Sequence, residues 1–208
     1  MYDLSYTKAI SQHFDPTLSV EEQITCALQE LEHLEPYTAA HSQRVGTLAG
    51  NIAKELGLSP QQIKQISASG MLHDIGKSGV SLSALLKPSK LNDEEFKEIK
   101  RHPEIGVKLI QSSPLLINLI PGILYHHERF DGLGYPFGLC GKAIPLEARI
   151  IAIADSYDAM TSDRAYRKKL SHQTAIAELK RFANLQFDPE LVDAACHAFE
   201  NSELFEFE

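Results

Sequence analysis

Apolar positions along the chain recur at three- and four-residue spacings, and no convincing alternation of apolar and polar residues marks a strand. Val45, Leu48, Ile52 and Leu56 form one such stripe, which Gly57 ends as a helix-stop residue should. Helix starts are equally marked. Ser19-Val-Glu-Glu22 is a capping-box pattern opening a helix toward Glu35, and Ser59-Pro60-Gln-Gln62 repeats it with proline at the first helical position. Asn92-Asp-Glu-Glu95 opens another helix, Ser113-Pro114 the next, and Ser171 and Asp188-Pro189 the last two. The pattern predicts an all-α fold of about eight to ten helices, with one long loop at 128 to 145 carrying most of the clustered glycines.

Several polar residues stand where these stripes demand apolar ones. His41 lies four residues before Val45 and shares its buried face, and His102 precedes Ile105 and Leu109 in the same way. His73 and Asp74 close a segment whose inward positions are Ile63, Ile66 and Gly70. His126 and His127 follow Ile123 by one turn, and Asp155 interrupts the line Ala148, Ile151, Ala152, Ala159. A carboxylate on such a face is costly unless a cation or several donors meet it. A lone inward histidine is ordinary core, but five of the nine histidines and two aspartates on five segments point to a shared metal centre.

Composition narrows the setting. With 208 residues, 43% hydrophobic and 23% charged, the chain can bury a sizeable core as one domain. A net charge of −8 argues against general affinity for duplex nucleic acid, which needs a basic face. Cys26, Cys140 and Cys196 have no CxxC spacing, so a thiolate zinc site and a disulfide framework are not indicated, and a reducing cytoplasm is expected. The N-terminal MYDLSYTKAISQHF lacks the pattern of a signal peptide, and no apolar run approaches the roughly 20 residues that span a bilayer.

Imidazole and carboxylate without thiolate suit iron, manganese, zinc or nickel. Seven ligands exceed the needs of one tetrahedral ion, and a carboxylate beside a histidine can bridge two, so a pair of divalent metals is expected. Two cations roughly 3.5–4 Å apart activate a water between them and clamp a phosphate for in-line attack, which makes phosphoester hydrolysis the natural reaction class. Lys77, one turn past His73, could neutralise a phosphate oxygen or protonate a leaving alkoxide.

These residues carry a family resemblance. His41 in HSQRV, HDIGK at 73 to 77, His102, HHERFDGLGYP at 126 to 136 and Asp155 in IADSYDAMTSDRAYR resemble the HD-GYP domain of the HD-superfamily phosphohydrolases over about residues 30 to 200. The resemblance implies a compact HD-type helical bundle at 31–208, behind an N-terminal helical extension at 1–30, and hydrolysis of cyclic di-GMP at a bi- or trinuclear site. It implies metal ligation by His41, His73, Asp74, His102, His126, His127 and Asp155, with iron or manganese expected first. Lys77 is similar to the family lysine beside the metals, Tyr135 belongs to the GYP loop near the ligand, and Arg164 and Arg167 match cations that contact its phosphates. The resemblance also allows a diguanylate cyclase (GGDEF) partner docking through the GYP loop, and a homodimer.

The match departs in three places. Members with a third metal carry a carboxylate one turn before the first histidine, where this chain has Tyr37 with Glu35 nearby, so two metals and linear pGpG, rather than GMP, are expected. Ser78 and Ser81-Leu82 replace the usual apolar residue and Pro-Asp, and Ala165 replaces a proline. Two other readings stand beside the enzyme. One is a catalytically weak binding module, and the other is a phosphohydrolase acting on another cyclic dinucleotide or a nucleotide monophosphate.

Overall fold

The computed structural model describes residues 4–34, 36–87, 89–163 and 168–200, all of whose regular structure is helical apart from one isolated bridge between Ala183 and Phe187. Among the described residues are eleven α-helices: α1 Leu4–Ser11, α2 Val20–Leu34, α3 Pro36–Glu55, α4 Pro60–Leu72, α5 Leu82–Leu85, α6 Asp93–Ile99, α7 His102–Ile110, α8 Ile120–Tyr125, α9 Leu146–Thr161, α10 His172–Arg181 and α11 Pro189–Glu200. Three 3₁₀ turns, Ile75–Gly79, Pro114–Leu119 and Gly141–Ala143, link some of them. The count exceeds the expected range because the chain between 82 and 125 divides into short pieces, down to the single turn α5.

The sequence signals for helix starts act as capping interactions. Ser59 and Gln62 close the box before α4, and Asn92 and Glu95 close one before α6. Ser19 Oγ accepts from Glu22 N at 3.2 Å, while Ser19 N donates to Glu22 Oε2 at 2.8 Å. Each pair satisfies donors that the first helical turn leaves without an intrahelical partner. Ser113-Pro114 opens a 3₁₀ turn first, with α8 beginning only at Ile120.

Two apolar clusters build the interior. One joins α3, α4, α9, α10 and α11 through residues such as Val45, Ile52, Ile150, Ile153, Tyr157 and Phe199. The other joins the N-terminal helices to α7 and α8 through Ile10, Leu28, Leu31, Leu72, Ile110 and Ile123. Helices α3 and α4 contribute to both, with Ala39 and Leu72 in one cluster and Val45 and Ile66 in the other. Their contact is close because a Cβ on Gly70 would lie 3.0 Å from Gly46 Cα. This approach sets His41 on α3 beside His73 at the end of α4, with ring centroids 5.3 Å apart.

The 3₁₀ turn after α4 packs on α7 through Gly76, where a Cβ would stand 2.0 Å from the His102 carbonyl oxygen and 2.5 Å from Gly106 N. Only a glycine permits that approach, and it holds Asp74 next to His102. The departures at Ser78 and Ser81 are absorbed locally. Ser78 Oγ donates to Ile75 O at 2.8 Å and Ser81 N donates to Glu98 Oε1 at 2.9 Å.

Candidate metal centre

The seven residues on five separate segments converge at the seam of the two apolar clusters. They form two sets, Asp74, His102, His126 and His127 in one and His41, His73 and Asp155 in the other, with ligand atoms within 4.8 Å of one another in each set. Asp74 faces both. Its Oδ1 is 3.3 Å from His102 Nε2, and its Oδ2 is 3.2 Å from His73 Nε2 and 3.8 Å from His41 Nε2.

Three histidines share one local device. His73 and His126 cap the ends of α4 and α8, His102 opens α7 three residues past the end of α6, and their Nδ1 atoms donate to the carbonyls of Gly70, Ile123 and Ile99 at 2.7, 2.8 and 2.8 Å. Carbonyls at a helix C-terminus have no intrahelical partner, so they are available to accept these bonds. The bonds fix the tautomer and turn the Nε2 lone pairs inward.

That orientation tests the site for a cation. Burial pushes His102 down to about 3 and holds His126 well below the usual histidine range, so both rings are neutral. Their Nε2 atoms face each other at 3.2 Å, lone pair toward lone pair, because both ring protons sit on Nδ1. Buried His73 Nε2 and Asp74 Oδ1 have no hydrogen-bond partner. Facing acceptors repel unless a cation joins them. Metal bonds of about 2.1 Å at tetrahedral to octahedral angles put neighbouring ligand atoms roughly 3.0–3.4 Å apart. The separations of 3.2 and 3.3 Å fall in that range, as does the 3.1 Å between His41 Nε2 and Asp155 Oδ1. The donor set and its spacing therefore fit divalent metal ions.

The carboxylates are held ionised. Burial opposes the charge on Asp74, but His73 and Lys77 outweigh it and place the group well below the usual carboxylate range. Lys77 Nζ donates to Asp74 Oδ2 at 2.6 Å. Burial likewise opposes the charge on Asp155, and the bond from His41 overcomes it. His41 is raised to about 9, since its bonds to Asp155 and Asp158 outweigh the opposing effect of burial. The charge on His41 is thus balanced by the carboxylates around it, Asp155 on one ring nitrogen and Asp158 on the other.

Beside the metal-facing atoms opens a cavity of about 360 Å³ whose lining includes Phe96, Lys100, Tyr135, Asp155, Ser156 and Gln186. Tyr135 stacks on His127 with centroids 4.7 Å apart, and burial raises the pKa of its hydroxyl. Lys100 Nζ stands 5.3 Å from the Tyr135 ring centroid and 4.5 Å from that of Phe96. Arg164 and Arg167, expected to contact phosphate, lie outside the described residues, as do Ala165 and Glu35. Tyr37 stacks on His41 at 6.2 Å and offers no carboxylate there.

Three contributors are absent from the residues expected at the site. Asp158 accepts from His41 Nδ1 at 2.7 Å. Glu128 is buried and takes the backbone N–H groups of Phe137, Gly138 and Leu139 at 2.7, 3.1 and 3.0 Å, which pins the loop beside the cavity. Lys100 reads as a surface lysine until α6 and the loop are placed together. Asp158 had one signal, its position one turn past Asp155 on an apolar stripe.

The family model for the HD domain matches residues 26–191. This chain belongs to the HD-domain family, in its HD-GYP branch. The HD-GYP chain is 41% identical over 175 residues to the cyclic di-GMP phosphodiesterase response regulator RpfG of Xanthomonas campestris pv. campestris, covering 83% of this chain and 46% of that protein. It is 40% identical over 161 residues to 3'3'-cGAMP-specific phosphodiesterase 1 of Vibrio cholerae serotype O1, covering 76% of this chain and 37% of the relative. The chain thus spans less than half the length of these relatives. Among solved structures, an HDG"Y"P protein from Bdellovibrio bacteriovorus shares the fold, with a TM-score of 0.64 at 19% identity over 94% of this chain and 69% of that one.

Proposed function

We propose that this HD-GYP chain is a metal-dependent phosphodiesterase that opens cyclic di-GMP to linear pGpG. The observation that carries the proposal is the Asp74 carboxylate, whose two oxygens face two separate sets of inward-turned histidines. In this reading His41, His73 and Asp155 would hold one ion and His102, His126 and His127 the other, with Asp74 available to both. Iron or manganese is the metal proposed, by resemblance, within the group of iron, manganese, zinc and nickel that imidazole with carboxylate suits. When bound, such a pair polarises the phosphodiester and activates a water for attack on phosphorus.

The chain's own groups do the rest. Lys77, fixed on Asp74 Oδ2 at 2.6 Å, places an ammonium at the edge of the site, where it neutralises a phosphate oxygen or protonates the departing 3′ oxygen. Tyr135 and Phe96 give the cavity aromatic walls for a nucleobase, and Lys100 adds a cation beside them. Arg164 and Arg167 are proposed, by resemblance, as further phosphate contacts. The loop exposes Leu133 at 79% and Phe137 at 61%, which supports its reading as a docking surface for a GGDEF partner. A cytoplasmic setting is proposed on the same substrate, and no described helix is long and apolar enough to cross a membrane.

Three relatives named for 3'3'-cGAMP match at 36–40% identity, which favours that dinucleotide as the second reading. The test is a panel of cyclic di-GMP, 3'3'-cGAMP and cyclic di-AMP given to protein of measured metal content. Linear pGpG formed with a clear preference for cyclic di-GMP supports the first reading. Preference for 3'3'-cGAMP selects the second, and no turnover by folded, metal-loaded protein overturns both.

A further inference from the structure

His41 departs from the common device by anchoring on a side chain. His73, His102 and His126 anchor Nδ1 on carbonyls three residues back, left open by helix ends. His41 lies inside the continuous helix α3, Pro36–Glu55, where the carbonyls one turn back are committed to the backbone ladder. Its ring must therefore find an anchor elsewhere in the fold. It finds Asp158 on α9, 117 positions away in the chain, at 2.7 Å.

Asp158 is itself held on all sides. Arg44 Nε donates to its Oδ1 at 2.5 Å and Arg44 Nη2 to its Oδ2 at 3.0 Å, while Ser162 Oγ donates to Oδ1 at 3.2 Å. Its side chain is 3% exposed, and that of Arg44 is 43% exposed. Arg44 lies one turn beyond His41 on α3, as Asp158 lies one turn beyond Asp155 on α9. Each helix thus supplies one residue of the His41–Asp155 contact and one residue of a bidentate ion pair immediately behind it. The pair ties together the two helices whose separation sets the distance from His41 Nε2 to Asp155 Oδ1.

We propose that Asp158 and Arg44 are positioning residues for the ion held by His41, His73 and Asp155, and not for the ion held by His102, His126 and His127. On the other side His102 and His126 anchor on backbone that no side-chain substitution removes, and the ion pair of Lys77 with Asp74 bears on the carboxylate that faces both sets. The inference rests on the two-metal reading above. Loss of such an outer partner lowers metal affinity by about 10–100-fold.

The experiment is titration of the metal-stripped full chain with Mn²⁺, followed by calorimetry and by electron paramagnetic resonance of the bound ion. Wild type, Arg44→Gln, Asp158→Asn and a His41→Gln reference are compared, the reference marking which binding step belongs to that ion. The expected result is two steps in wild type, with the step lost in His41→Gln weakened about 10–100-fold in Arg44→Gln and Asp158→Asn and the other unchanged. Adding Asp158→Asn to His41→Gln should change nothing further, and Arg44→Lys should restore affinity partly, since it keeps the charge without the fork. Unchanged affinities in both variants overturn the proposal, and so does parallel weakening of both steps. Arg44 is half-exposed, so Arg44→Gln keeps the test decisive if Asp158→Asn fails to fold. Fewer than two ions on wild type would instead overturn the two-metal reading itself.

Discussion

At the scale of single residues, Asp74 is the position on which the rest depends, because one buried carboxylate faces both histidine sets. Asp74→Ala is expected to lower both bound metal and activity, and His127→Ala to do the same, as read by elemental analysis of purified protein. Lys77→Ala should keep the metal while slowing turnover roughly 10²–10⁴-fold, the usual contribution of a proton donor. An emptied site in that variant would remove the proton-donor role. The buried histidines also predict a pH response for metal-free protein. His102, held at about 3, and His126, held well below the usual range, stay neutral when folded, whereas unfolded histidines take up protons below about 6.5. The unfolded chain therefore binds more protons between those values, and the stability these groups contribute is lost as pH falls from about 6.5 toward 3. His41, raised to about 9, gains stability as pH falls through neutrality, but it is one ring against two. Denaturant melts of stripped protein at pH 7.5 and 5.5 should therefore show a net loss, and equal midpoints would contradict it. The seven convergent residues were legible because each interrupts an apolar stripe. Asp158 and Glu128 were not, since what they do depends on partners that only the folded chain brings near, His41 and Arg44 for one and the 137–139 backbone for the other.

At the scale of elements, the capping signals located the starts of α2, α4, α6 and α10 because those interactions are local in sequence. The 3₁₀ turn at Ile75–Gly79 was not legible, as its tightness comes from packing Gly76 on α7. Gly76→Ala should therefore destabilise at the upper end of the ~1–3 kcal/mol typical of overpacking, since the obstructing atoms are backbone. A thermal melt matching wild type would show that the turn can move away. The loop at 128 to 145 was foreseen as a loop, but its order was not, because a single buried carboxylate gathers three of its amides. Glu128→Ala should leave helix content unchanged and abolish hydrogen-exchange protection at Phe137, Gly138 and Leu139. Retained protection would mean the loop is held by its other contacts, among them Gly141 N to Phe130 O at 2.9 Å.

At the scale of the whole molecule, the fold gathers histidine lone pairs and buried carboxylates at the seam between two apolar clusters. The all-α class followed from periodicity, whereas the seam did not, because it depends on how α3 and α4 pack against both sides at Gly46 and Gly70. Ligands from five segments make metal binding and folding one equilibrium. Metal at 100 times its dissociation constant should add about 2.7 kcal/mol to stability, and chelation should lower the melting temperature by several degrees. The most direct measurement takes anaerobically purified protein with its metal counted, incubates it with cyclic di-GMP and resolves the products by chromatography. Two ions per chain with accumulation of linear pGpG is the predicted result. Intact cyclic di-GMP at full metal occupancy would contradict the account and leave the 3'3'-cGAMP reading or a binding module in its place.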